Sequence, residues 1–163
     1  MKHDNQTFRD EQRKTATVVA RSWGVPYLVE GDEFAHIDYT AKREPNGPVV
    51  CAIEIKNVNL MNPQPIDLYK LRAVRKWDIK HGLPGVIVWR WKDLHGGWRI
   101  GWARPRLWDW ESVEDWPADL KRGPFKRIDQ RNNAREPVDF VVWVPFHMFR
   151  PLTESPFDGV PNE

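Results

Sequence analysis

The chain has 163 residues, 40% of them apolar and 29% charged, with a net charge of +2. That is enough for one packed domain and too apolar for a disordered one. No apolar run approaches the roughly 20 residues that span a bilayer, the charged stretch Met1–Arg13 cannot be the apolar core of a signal peptide, and the single Cys51 excludes an internal disulfide framework and a cysteine-based zinc site. The expected setting is therefore a reducing cytoplasm, without a membrane partner.

The first expected element is a helix over Thr7–Trp23. Thr7 is placed to cap it, with Asp10 three residues on, and Gly24 and Pro26 stop it. Phe8, Thr15, Val18, Val19 and Ser22 form its less polar stripe, and Glu11, four residues before Thr15, falls on the same side. A hairpin follows, with strands over Ala35–Ala41 and Val49–Val58 joined by the turn residues Pro45-Asn46-Gly47-Pro48. In its second strand the two-residue period sends Val49, Cys51, Ile53 and Ile55 to one face, and Ala52, Glu54 and Lys56 to the other.

Pro63-Gln64-Pro65 opens a second expected helix, running to about His81, with Ile66, Tyr69, Ala73, Val74 and Trp77 as its apolar stripe. Gly85–Trp91 reads as a buried strand that turns through His95-Gly96-Gly97 into Trp98–Ala103. Residues 104–136 carry no clear pattern, and 138–145 form a tail strand. The order α-β-β-α-β-β plus a tail describes a single domain with a mixed sheet and helices packed on it. Alternation along the last two strands is expected to stack Trp89, Trp91, Trp98 and Trp102 on one face.

Hydrolysis of a phosphodiester needs an activated water, neutralised charge at phosphorus and help for the leaving oxygen. A hard divalent cation on carboxylate and carbonyl oxygens supplies much of this. Asp38 and Glu54, on adjacent strands and facing one side, suit such an ion. The carbonyl of Ile55 adds an oxygen, and Lys56 projects onto the same face, where its amine can orient water. Glu-x-Lys on a strand also describes a plain exposed ion pair. Here the triplet closes an apolar strand, an acid stands between Ile37 and Tyr39, and a helix with an inward acid precedes both.

A helix with Glu11, then His36-Ile37-Asp38-Tyr39, then Ala52-Ile53-Glu54-Ile55-Lys56-Asn57, then a helix and an apolar strand, resembles the PD-(D/E)XK nuclease superfamily. Among its members the chain is most similar to small phage and prophage proteins that resemble archaeal-type Holliday junction resolvases. Lys70, Gly82-Leu83-Pro84, Val86–Trp91 and Val141–Pro145 stand where those members carry similar segments.

The resemblance implies a restriction-endonuclease-like αβββαβ core, about residues 7–103, with a central mixed sheet flanked by helices. It implies Asp38, Glu54 and Lys56 as catalytic residues, and Asp38, Glu54, the Ile55 carbonyl and Glu11 as ligands of Mg²⁺ or Mn²⁺. Glu11 equally describes a solvated helix acid. Lys70, Arg72 and Lys76 are the expected DNA contacts, with a second basic stretch at Lys121–Arg135, although Lys70 also fits a lysine that only packs its stem. The expected activity is a metal-dependent DNA endonuclease acting on branched or structured DNA in phage replication or recombination, in the host cytoplasm if phage-encoded. Resolvase-like members act as homodimers on symmetric substrates. The alternatives are an inactive DNA-binding or virion-associated protein on the same fold, and an interaction module using the tryptophan face.

Overall fold

In a computed structural model of the protein, the described residues are 2–31, 37–58, 63–110, 121–122, 125–129 and 140–158; side chains of residues 2–5, 121–122, 125–129 and 140 are outside the description. Helix α1 spans Lys2–Ser22 and is followed by the strands β1 (Tyr27–Glu30), β2 (Tyr39–Lys42), β3 (Val49–Val58) and β4 (Pro65–Asp67). Helix α2 (Leu68–His81) leads to β5 (Gly85–Lys92) and β6 (Trp98–Ala103). The short strands β7 (Lys121–Arg122), β8 (Phe125–Asp129), β9 (Phe140–Trp143) and β10 (Arg150–Pro151) complete the chain.

A six-stranded mixed sheet in the order β1-β2-β3-β5-β6-β10 forms the centre. Only β3 and β5 run parallel in it, from Ala52 opposite Gly85 to Val58 opposite Trp91, because α2 carries the chain back between them. The two helices cover opposite faces. Ala16, Val19 and Ala20 of α1, with Trp23 just past its end, pack on Cys51, Ile53, Ile55, Val86, Val88 and Trp102. Leu68, Leu71 and Val74 of α2 pack on Ala52, Ile87, Trp89 and Ala103. The mixed sheet flanked by helices is as expected, and β1 supplies the third strand that the residue pattern alone did not reveal. With its burial mostly low, β1 lacks an apolar alternation.

Several local expectations are corrected. Helix α1 starts at Lys2, so Thr7 lies inside it and is no cap. Its buried stripe is Thr15, Ala16, Val19 and Ala20, while Phe8 and Val18 are about half exposed. The small alanines therefore face the sheet, and the larger Phe8 and Val18 do not. The second helix does not start at the prolines. Proline suits the first residue of a short strand, and β4 pairs antiparallel with β9, setting Ile66 opposite Val142, with both fully buried. Thus α2 begins at Leu68 and buries Leu68, Leu71, Val74 and Asp78, whereas Tyr69 faces outward. It ends at Gly82, in the left-handed conformation at φ 62°.

The tail strand belongs to a second sheet, β4-β9-β8-β7; its expected first residues, 138 and 139, lie outside the described residues, as do 35 and 36 of the first hairpin strand and 111–120, 123–124 and 130–137. The tryptophans do not share a face. Register pairs Val88 with Trp102 and Lys92 with Trp98, so Trp89 and Trp91 face the α2 side, where they meet Phe149. Trp102 instead meets Trp23 edge-on, 5.5 Å away, on the α1 side.

Asp78 locks α2 to the sheet. It is fully buried and accepts two hydrogen bonds from Arg104 (2.6 and 3.0 Å), one from Arg106 (3.0 Å) and one from the Gly85 amide (3.1 Å). Burial raises its pKa, but these donors outweigh it and hold the carboxyl below its ordinary value. Gly85 itself is required by close approach, since a Cβ there would sit 2.7 Å from the Val74 carbonyl oxygen. Asp78→Ala should destabilise the protein by roughly 3–5 kcal/mol, because buried guanidinium charge is left unpaired; urea denaturation at neutral pH measures it. The depressed pKa makes this contribution present above the ordinary carboxylate range and lost on acidification through the lower folded value, so the gap between wild type and Asp78→Ala should narrow in acid.

Candidate active site

Antiparallel pairing of β2 and β3 sets Tyr39 opposite Ile53. One residue further, the backbone ladder gives way to a side-chain exchange. The Asp38 amide donates to Glu54 Oε2 (3.1 Å), and the Ile55 amide donates to Asp38 Oδ2 (2.8 Å). Each strand thus donates a main-chain N–H to the other strand's carboxylate, and the two acids are brought side by side. Ile37 is buried in the α2-side core, and Gly31 threads past it. A Cβ on Gly31 would collide with the Ile37 carbonyl oxygen, and the Gly31 amide donates to the Asp38 carbonyl (2.8 Å). Gly31 is a site-supporting residue that no sequence pattern marks, because only the close passage of two backbones demands it.

Glu54 faces the α2 side, as its strand period requires, and is only 4% exposed. Its second oxygen, Oε1, lies 3.0 Å from the Lys70 ammonium. Burial, and next the charge of Asp38, push the Glu54 pKa up to about 7, against the opposing pull of Lys70. For Lys70, burial opposes the charged form, yet Glu54, through charge and hydrogen bond, prevails and raises its pKa. Lys56 is half-buried, and that burial lowers its pKa; Lys70 adds to the lowering while Asp67 opposes it. Of the two amines, Lys70 is the one in contact with Glu54.

The pair opens on a cavity of about 550 Å³ lined by Arg9, Gln12, Glu30, Gly31, Ile37, Asp38, Tyr39, Glu54, Tyr69 and Lys70. Both helices therefore reach the site. From α1, however, Arg9 and Gln12 reach it. Glu11 turns away, 3.1 Å from both Arg90 and Lys14, and these partners lower its pKa, Lys14 foremost. Arg72 and Lys76 stand on the exposed side of α2, where with Arg75, Ile79 and Lys80 they border a separate groove. The side chains of the Lys121–Arg135 stretch, and His36, lie outside the described residues.

The donor set suits a hard cation. Two adjacent carboxylates, Asp38 and Glu54, line an open cavity whose lining does not include Ile55 or Lys56, and Mg²⁺ typically takes one or two carboxylates and keeps waters. Among the described residues no group of three or more His, Cys, Asp or Glu is arranged to hold a metal ion, so the protein would supply a sparse ligand set. No helix among the described residues is long and apolar enough to cross a membrane.

No family model matches the chain, and no curated protein matches it. Among solved structures it is similar to Archaeoglobus fulgidus Hjc, a Holliday junction resolvase from an archaeal hyperthermophile. The TM-score is 0.39, with 15% identity, over 56% of this chain and 69% of that one. A likeness of that size carries no weight for activity.

The raised Glu54 pKa has a measurable consequence. The folded protein holds this proton more tightly than the unfolded chain, so the stabilisation is complete below about 4.5 and is lost as pH rises through about 7. A shift of this size corresponds to about 3 kcal/mol. Glu54→Gln should remove that slope, seen as a stability difference between variant and wild type that grows from pH 5 to pH 8 in metal-free urea denaturation. Parallel curves would contradict it.

Proposed function

We propose that the protein is a metal-dependent nuclease that hydrolyses phosphodiester bonds in DNA at the Asp38–Glu54 pair. The observation that carries this reading is the reciprocal hydrogen bonding that holds two acids together on a cavity, with Lys70 on one of them. Asp38 and Glu54, with the carbonyl of Ile55, would hold Mg²⁺ or Mn²⁺. Such an ion, when bound, neutralises charge at phosphorus and makes water a better nucleophile.

The chain's own residues then divide the remaining work. Lys56, whose burial favours loss of its proton, is suited to orient the attacking water and to pass a proton. Arg9 and Gln12, on the cavity wall, would meet the scissile phosphate. Arg72 and Lys76, on the exposed face of α2, would hold flanking phosphates. Branched or structured DNA is the finer expectation, and it comes only from the resolvase resemblance, as does a homodimer.

The alternatives draw less support. A module docking through a tryptophan face is not favoured, because Trp89 and Trp102 are buried on opposite sides of the sheet. An inactive DNA-binding protein would have no need for Asp38, Glu54 and Lys56 together.

The decisive experiment is cleavage of linear, plasmid and four-way-junction DNA with Mg²⁺ or Mn²⁺. Asp38→Ala, Glu54→Ala and Lys56→Ala should each lose at least about 100-fold in rate while keeping their circular dichroism, a loss of about 2.7 kcal/mol in transition-state stabilisation. Equal rates in wild type and all three variants would remove the assignment. Arg72→Ala and Lys76→Ala should each weaken DNA binding across sequences and reduce the salt slope by about 1.

A further inference from the structure

We propose that Lys70 is a built-in stand-in for the divalent cation: its ammonium neutralises Glu54 in the metal-free protein and leaves Oε1 when an ion binds, becoming available to a substrate phosphate. This rests on the reading of Asp38 and Glu54 as the cation site. Both Glu54 oxygens are engaged, Oε2 by the Asp38 amide and Oε1 by Lys70 at 3.0 Å. A cation that takes Oε1 must therefore displace the amine.

The position of Lys70 makes that displacement feasible. It is the third residue of α2, whose first turn contains no acid. A cation there faces the positive end of the helix dipole, so the dipole of its own helix does not hold the ammonium in place. Glu54 is the main group that favours its charge, with smaller contributions from the neighbouring Tyr69 and from Asp38. Its side chain is 25% exposed and lines the open cavity, so the flexible stem can stay packed while the head swings outward. An incoming divalent ion cancels the attraction of Glu54 and adds like-charge repulsion. The released amine then points into the cavity, where a phosphate is its natural next partner. Lys70 is in this sense a positioning residue that ties cation loading to substrate capture, and a cation competes with it for Glu54.

The test is calorimetric titration of Mn²⁺ into DNA-free protein at pH 8.5, where Glu54 is ionised and proton competition is small. Lys70→Met should bind Mn²⁺ about tenfold more tightly than wild type, Lys70→Arg should stay near wild type, and Glu54→Gln should lose binding. Mn²⁺ should also raise the Tm of Lys70→Met by more than that of wild type. Lys70→Gln serves in its place if the methionine variant does not fold. Unchanged or weaker Mn²⁺ binding in the neutral variants, with wild-type binding that Glu54→Gln abolishes, would overturn the stand-in role and leave the cation site intact. No Mn²⁺ binding to wild type or to any variant would overturn both.

Discussion

Everything proposed for this protein depends on the two hydrogen bonds that cross between β2 and β3 at Asp38 and Glu54. An antiparallel ladder normally satisfies main-chain N–H groups with main-chain carbonyls. Here two of those N–H groups are answered by carboxylates, each from the opposite strand. The ladder is thereby exchanged, at its last rung, for a pair of acids held by main-chain donors. Buried polar groups must find partners, and this arrangement gives each acid one that cannot move without moving the sheet.

The same exchange creates an electrostatic debt that α2 offsets. Two acids side by side, one of them nearly inaccessible, favour retention of a proton on Glu54. Lys70 supplies the opposing charge, and its position follows from where α2 begins. That start is set in turn by β4, which pairs with β9 and buries Ile66 against Val142. A strand in the second sheet thus decides which residue of the helix faces Glu54.

Comparison of Glu54 with Asp78 shows why burial raises the pKa of one acid while the other is held low. Asp78 is equally inaccessible but receives three hydrogen bonds from two guanidinium groups and one from an amide, and its pKa is depressed. Glu54 has one ammonium, one amide and a neighbouring acid, and its pKa is raised. Surplus donors fix a charge in place. A deficit leaves a carboxylate that gains from a further cation, which is the physical condition for a binding site.

The sequence by itself determined the strand parity of β3, hence that Glu54 and Lys56 share a face opposite Cys51, Ile53 and Ile55, because a two-residue period is local geometry. It also determined α2's end at Gly82, the β5–β6 hairpin and the mixed order of elements. Tertiary structure alone decided the rest. Burial against the sheet rotated the α1 stripe towards Ala16 and Ala20 and left Glu11 with Arg90. Pairing with β9 turned Pro65–Asp67 into a strand. Register separated Trp89 and Trp91 from Trp98 and Trp102. The contact of Lys70 with Glu54, and the passage of Gly31 beside Ile37, join residues distant in the chain, and no local pattern encodes a distance across space.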